Sequence, residues 1–495
     1  MKEGSPMSES KDIILIGAGI MSATLGTFIK KLEPSWNIKM FERLDQPALE
    51  SSNETNNAGT GHAALCELNY TVEQEDGSID FEKAKVINEQ FEISKQFWSY
   101  LVKNEVLEEP SSFIKPLPHI SFVEGSKNVN FLKKRYEALK DLAMFEGLKY
   151  SENHEEIKNW IPLMMNGRSE NETLAASKVD YGTDVNFGAL TRQLVSNLSS
   201  LNRTSVHFNH EVKGFRRLDD GRWEVQVQND RGSIEFHTAD YVFIGAGGHA
   251  IPLLQKTGIK ESKHIGGFPI SGAFLVCNNP VIVNAHQAKV YGKEPEGKPP
   301  MTVPHLDRRY LNGQESLLFG PFAAIGPKLL KYGSNTDLFK SVNSSNIMTM
   351  LIAGAKNLPL IQYSIEQVLM KKKDRMTELR RFVPDAKDED WDLHIAGKRV
   401  QVIKDSQADG RGYIQFGTEV INSEDHSIMA LLGESPGASV SVAVALEIIE
   451  KNFPGYIEEW KEQLVEMIPS YGQSLIDDDE LMRGIRKESK AILGL

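Results

Sequence analysis

Two histidines stand in segments that are otherwise small or apolar, and either could move a proton. His62 closes the run Glu50-Ser51-Ser52-Asn53-Glu54-Thr55-Asn56-Asn57-Ala58-Gly59-Thr60-Gly61-His62. Beside glycine and alanine an imidazole can come close to a ligand, and it titrates near neutral pH. His305 lies in Val303-Pro304-His305-Leu306-Asp307-Arg308-Arg309. An imidazole next to two guanidinium groups suits a pocket for an acid, although a turn with exposed charge has the same composition. A third feature binds rather than reacts. Gly17-Ala18-Gly19-Ile20-Met21-Ser22 follows the apolar run 13–16 and opens a helical segment to Lys31. Gly17 lets the chain turn sharply, and Gly19 lets a phosphate reach the backbone. Free N–H groups at the start of the helix then hold a pyrophosphate. Ser22 replaces the third glycine of G-x-G-x-x-G and is small enough for helix–strand packing. Glu42 ends a second apolar run about 25 residues after Gly17, the spacing of an acid on ribose hydroxyls.

These residues need a frame. Strand, turn, helix, strand and acid over 12–42 predict a dinucleotide-binding unit. The polar loop 50–64 would wrap the rest of a large cofactor, with Ser51, Ser52, Thr60 and Gly61 as donors. Periodicity predicts helices over 79–106, 130–146, 153–165 and 189–201, and strand character over 113–123. These pieces break the simple strand–helix alternation and predict an inserted substrate domain. Strand-like runs at 206–208, 211–215 and 223–227 lead to 240–244, which enters Gly245-Ala246-Gly247-Gly248. There the chain returns to the first sheet, with Gly247 close to the dinucleotide. Two strand–glycine units about 230 residues apart fit two-domain flavoproteins better than NAD enzymes. Gly433-Glu434-Ser435-Pro436-Gly437-Ala438-Ser439 opens a small-residue helix to 449, an anion-friendly terminus for the pyrimidine edge of a reduced flavin. The apolar stretch 344–373 ends in three lysines. It reads first as a core helix and second as a face resting on anionic lipid.

The totals exclude several classes. A chain of 495 residues predicts two or three domains. Its 40% hydrophobic and 25% charged content is that of an ordinary globular protein. A net charge of -12 argues against a nucleic-acid surface. Cys66 and Cys277 are the two cysteines, in no metal-type spacing, so we expect no metal and no disulfide. Residues 1–10 are polar, without the apolar core of a signal peptide, and read as a disordered tail. No run approaches the roughly 20 apolar residues that span a bilayer.

Seven motifs in order carry a specific resemblance. They are Ile-Gly-Ala-Gly-Ile-Met-Ser-Ala-Thr (16–24), Asn-Asn-Ala-Gly-Thr-Gly-His (56–62), Thr-Asp-Val-Asn (183–186), Phe-Ile-Gly-Ala-Gly-Gly (243–248), Val-Pro-His-Leu-Asp (303–307), Phe-Gly-Pro-Phe (319–322) and Gly-Glu-Ser-Pro-Gly-Ala-Ser (433–439). Together they resemble malate:quinone oxidoreductase from about residue 11 to the C-terminus, and Ser22 is shared with that family. The resemblance implies an α/β protein with a Rossmann-like FAD-binding domain, an inserted α+β substrate domain, and distant kinship to amino-acid and 2-hydroxyglutarate oxidases. On that basis we expect a discontinuous FAD-binding domain (11–90, 180–260, 395–450), a substrate domain (91–179, 261–394) and a peripheral helical tail (451–495).

The family chemistry is hydride transfer from C2 of (S)-malate to noncovalent FAD, a step of the tricarboxylic acid cycle, giving oxaloacetate and reducing a membrane quinone. It implies a peripheral protein on the cytoplasmic side of the membrane. Malate is a dianion, so Arg399 is the first candidate clamp, with Lys404, Arg308, Lys398 and Arg309 behind it. The hydroxyl proton needs a neutral base, and His62 and His305 both fall in matching motifs. Which abstracts and which orients stays open at this level. FAD contacts fall to Gly17, Gly19, Ile20, Met21, Ser22, Glu42, Arg43, Ser51, Ser52, Thr60, Gly61, Gly247, Gly433 and Ser435 to Ser439, including Pro436, Gly437 and Ala438. The alternative is a related 2-hydroxy-acid oxidase or dehydrogenase with another acceptor.

Overall fold

The computed structural model describes residues 10–293, 303–311, 313–406, 408, 410–433 and 437–495. Residues 1–9 of the expected tail, with Ser435 and Pro436, lie outside that range.

The strand Asp12–Ile16 sits near the centre of a six-stranded sheet. The order is Thr204–His207, Asn37–Phe41, Asp12–Ile16, Tyr241–Ile244, Ile428–Gly433, Thr418–Asn422, parallel except for the last. A strand buried on both faces reads as an unbroken apolar run, and 13–16 is one. Period-two alternation sends Ile13 and Leu15 to one core, Ile14 and Ile16 to the other. The first core holds helices Ile20–Leu32, Glu82–Lys103, Phe187–Ser200 and Ser441–Asn452. The second holds the antiparallel strands Glu211–Arg217, Trp223–Gln228 and Ile234–Ala239 with the helix Ala250–Thr257. The predicted return at 240–244 pairs directly with the first strand, Ile13 opposite Tyr241.

A nine-stranded mixed sheet forms the second domain. Its order is Gly410–Gln415, Asp392–Ser406, Gly266–Cys277, Gln314–Ile325, His305–Leu311, Lys289–Tyr291, His119–Glu124, Leu174–Val179, Lys149–Ser151. Helices His154–Trp160, Pro162–Met165 and Lys372–Phe382 pack on the face that carries Leu306.

The packing corrects the expected boundaries in three places. Residues 392–415 join the nine-stranded sheet rather than the FAD-binding domain. Most of the helix Glu82–Lys103 falls beyond residue 90, yet it packs on the helices of the first domain. The tail is not peripheral: Trp460, Leu464, Met482 and Leu493 are buried in that same core. The stretch 344–373 is also not one core helix. It breaks into Ile347–Lys356, Leu358–Leu369 and the start of Lys372–Phe382, and the first two bury only Thr349, Ala353 and Ser364.

Candidate active site

The turn after the first strand is built as the glycines require. Gly17 has φ +91°, and a Cβ there would stand 2.6 Å from the carbonyl oxygen of Gly245. Gly19 precedes the first helical residue and brings no side-chain cap of its own. Instead the hydroxyl of Ser52 accepts the Ile20 N–H at 3.0 Å, so loop 50–59 and helix terminus form one wall. Ser22 is buried and faces Gly245, where a Cβ would come within 2.3 Å of its Oγ. The space lost at the third glycine position is returned by the glycine opposite. Glu42 ends the second strand. Its carboxylate accepts Ala18 N–H at 2.8 Å and Leu44 N–H at 2.9 Å. Burial raises its pKa, and the two amide bonds oppose that rise.

From this turn a cavity of about 580 Å³ runs to the nine-stranded sheet. Gly17, Gly19, Ile20, Met21, Glu42, Arg43, Ser51, Ser52 and Thr60 line it, as do Gly247, Gly433, Gly437, Ala438 and Ser439. His62, His305 and Arg399 line the same cavity with Tyr70, Tyr291 and Gln401. The sequence spread these three candidates over more than 300 positions; the fold gathers them.

Both histidines are held by buried carboxylates. His62 Nδ1 lies 2.5 Å from Glu67 Oε1, and its backbone N–H donates to Ser439 Oγ at 3.2 Å. Its loop is fixed by Asn88, which donates to Ala63 O, and by Arg135, which donates to Ala64 O. Burial pushes the Glu67 carboxyl up, but the hydrogen bond and charge of His62 outweigh it and hold the group at about 2. His305 Nδ1 lies 2.6 Å from Asp307 Oδ2. Residues two apart on a strand share a face, so His305, Asp307 and Arg309 point one way while Leu306 and Arg308 point the other. Across the register Tyr291 faces His305 and Lys289 faces Asp307. The Tyr291 ring stacks on His305 at 4.5 Å and 9°. Asp307 is fully buried, which raises its pKa, yet His305, Lys289 and Arg309 bring it below the ordinary value. A carboxylate on Nδ1 fixes the proton there and leaves Nε2 as the basic nitrogen.

Other expected contacts fall elsewhere. Lys404 does not line the cavity; it pairs with Glu419 at 2.6 Å. Arg308, on the far face of its strand, donates to the carbonyls of Val283 and His286 and pairs with Glu315. Arg309 shares the face of His305 but is spent on Asp184 at 2.7 Å. Lys398 does line the cavity. Gly61 is a packing residue: a Cβ there would meet Thr183 Oγ1 at 2.1 Å and Phe91 Cζ at 2.5 Å. Ser22 lies behind the turn rather than on the cavity wall. Sequence reasoning missed Glu67, Tyr291 and the role of Asp307. The His-x-Asp spacing, which puts both side chains on one face if the segment is a strand, was a usable signal for Asp307; nothing local marked the other two.

One metal-like cluster occurs among the described residues: Cys66, Glu67 and His119. Burial pushes the Cys66 thiol far up, and Lys289 and Arg135 stand close by. A protonated thiol in a site already supplied with cations is a poor ligand set.

The residues fit FAD. The glycine turn takes a pyrophosphate, and Glu42 keeps acceptor capacity for ribose hydroxyls beyond its two amide bonds. Similar folds occur in solved structures. L-alpha-glycerophosphate oxidase from Mycoplasma pneumoniae superposes with TM-score 0.57 at 13% identity, covering 90% of this chain and 95% of that one. Glycine oxidase from Geobacillus kaustophilus gives TM-score 0.56 at 14% identity, with 90% and 95% covered. Fold and site thus define an FAD-dependent oxidoreductase of the two-domain kind. Within that class, residues 9–495 match the family model for malate:quinone oxidoreductase. The chain is 64% identical over 488 residues to "Probable malate:quinone oxidoreductase 2" of Staphylococcus epidermidis, covering 98% of each. It is 63% identical over 490 residues to the protein of that name from Staphylococcus aureus, covering 99% of this chain and 98% of that one. The chain belongs to the malate:quinone oxidoreductase family.

Proposed function

We propose that this protein oxidises (S)-malate to oxaloacetate with noncovalent FAD and passes the electrons to a membrane quinone, working as a peripheral protein on the cytoplasmic face. The observation that carries the reading is the single cavity joining the glycine turn and Glu42 to two histidine–carboxylate pairs and Arg399. When bound, FAD supplies a two-electron acceptor for the hydrogen leaving C2 as hydride.

The chain's own residues do the rest. Arg399 grips a malate carboxylate through its planar fork, which matches two oxygens at once. His305 takes the hydroxyl proton on Nε2 as the C2–H bond breaks. Stacking on Tyr291 and the Asp307 contact hold its ring in one orientation and one tautomer. His62, held on Nδ1 by Glu67, lines the site from the other wall and positions the substrate. With the proton on His305 and the hydride gone, C2 becomes the ketone carbon of oxaloacetate, and the proton then returns to solvent.

An anaerobic titration of the FAD-loaded protein with malate tests this reading. Malate should bleach the flavin, and adding quinone should restore its colour without peroxide. Failure of malate to bleach it would remove malate as substrate. Bleaching followed by fast reoxidation in oxygen alone would favour the oxidase alternative.

A further inference from the structure

Helices Ile347–Lys356 and Leu358–Leu369 leave large apolar side chains in water. Leu351 is 63% exposed and Leu369 72%, with Ile347, Met348, Leu358 and Val368 also exposed. Large apolar side chains left exposed along two consecutive helices mark a candidate interaction site. The helices have 10 and 12 residues, too short to span a bilayer, which needs about 20. Their inner side packs on strands of the nine-stranded sheet, with Ala353 against Ile403 and Ile414. The second helix runs into exposed Lys371, Lys372 and Lys373, a local cationic run in a chain of net charge -12.

The strand beneath the first helix leads to the cavity. The first helix covers the strand Gly410–Gln415, where a Cβ at Gly412 would come within 2.6 Å of Ala353 N. Phe416 follows that strand, is 44% exposed, and lines the cavity. Among the described residues the other exposed side chain on the cavity wall is Lys83. One exposed edge is therefore apolar and one cationic, which suits two reactants of opposite character.

We propose that the outer surface of these two helices seats in the headgroup zone of an anionic bilayer, and that the lipid-soluble acceptor reaches the cavity past Phe416. The proposal rests on the quinone-linked reading above. Lysines at a membrane surface attract anionic headgroups, and the exposed leucines anchor the helices at the acyl boundary.

The test uses FAD-loaded full-length protein and vesicles of phosphatidylglycerol or of phosphatidylcholine. Neutralising Lys371, Lys372 and Lys373 to Gln should weaken binding to the anionic vesicles about fivefold per lysine, about a hundredfold together. Phosphatidylcholine binding should not change. Leu351→Gln with Leu369→Gln should weaken binding to both lipids, with the flavin spectrum and monomer mass unaltered. Phe416→Ser should bind vesicles normally but slow reoxidation of malate-reduced flavin by vesicle-embedded quinone. Undiminished vesicle binding by both helix variants would overturn the seating, as would loss of a dimer in the leucine variant. Unchanged reoxidation in the Phe416 variant would overturn the port. Malate bleaching in the same samples tests the enzyme reading separately.

Discussion

Asp307→Asn is the sharpest perturbation of the proposed base. In the wild type the carboxylate sits 2.6 Å from His305 Nδ1, fully buried, with Lys289 across the register. An asparagine amide can donate to Nδ1, which shifts the imidazole proton to Nε2 and removes the lone pair facing the substrate. Loss of a general base slows proton transfer by about 10²–10⁴-fold, or about 3–5 kcal/mol on the barrier. Removing one member of a buried ionic group also destabilises a fold by about 3–5 kcal/mol, so rate and stability must be read apart. The assay is stopped-flow bleaching of the flavin by malate, without oxygen, in protein shown by its spectrum to hold a full complement of FAD. The limiting rate should fall by the amount above. The malate concentration giving half that rate should stay put, because Arg399 is untouched. A fully loaded variant that bleaches at the wild-type rate would refute the assignment of His305 as an Asp307-oriented base.

Four more outcomes follow from the geometry. Arg399→Ala should raise the malate requirement about 10- to 100-fold, since charge-assisted bonds contribute about 1.5–3 kcal/mol, and FAD content should not change; an unaltered requirement by steady-state titration removes the clamp. Gly17→Ala places a Cβ 2.6 Å from a backbone oxygen at φ +91°, so the purified chain should lack flavin absorbance. Lys404→Gln should leave malate affinity at the wild-type value, because Lys404 faces Glu419 and not the cavity. Glu67 titrates at about 2 against an ordinary 4.5: burial acts to raise it, and His62 more than compensates. Its folded pKa is depressed, so the pairing stabilises the protein above about 4.5 and is lost as pH falls towards about 2. Glu67→Gln should forfeit on the order of 3 kcal/mol at neutral pH and flatten that stretch of the acid-unfolding curve.

How far the sequence revealed this depended on whether a signal was local. The glycine turn, the acid at 42 and the return strand at 240–244 are local patterns, and each appears where its pattern placed it. His62 and His305 were legible as histidines in motifs and Arg399 as a cation suited to a dianion, but only the fold brings them to one cavity. Lys404 and Arg308 show the limit. A cation's role depends on which side of a strand it occupies and which acid lies opposite, and Glu419 and Glu315 come from separate positions in the chain. Gly61 looked like part of a cofactor loop because glycine-rich loops and close-packing glycines share a composition. The segment 347–369 misled for a different reason. Apolar content predicts burial only if something covers it, and within the described residues nothing covers its outer side chains.

The join between the two domains explains why base and cofactor loop can hold a fixed relation. Arg309 lies on the same strand face as His305 and Asp307, yet its guanidinium reaches back into the first domain's loop. It donates to the carbonyls of Glu54 and Asn57 and pairs with Asp184, which also takes Lys289 at 2.9 Å. Lys289 in turn donates to Ala58 O. A Cβ at Gly59 would fall within 2.2 Å of that guanidinium, so the loop passes as close as a backbone can. Two cations and the carboxylate they share, all buried, thus clamp loop 54–59 to the strand that carries the base. Buried charges are tolerated only when each finds a partner, and the mutual need fixes the geometry more tightly than apolar contact would. The loop contributes Ser52 to the helix terminus and Thr60 to Tyr291, whose ring orients His305. A shift of the cofactor wall relative to the base would therefore have to break this buried network first.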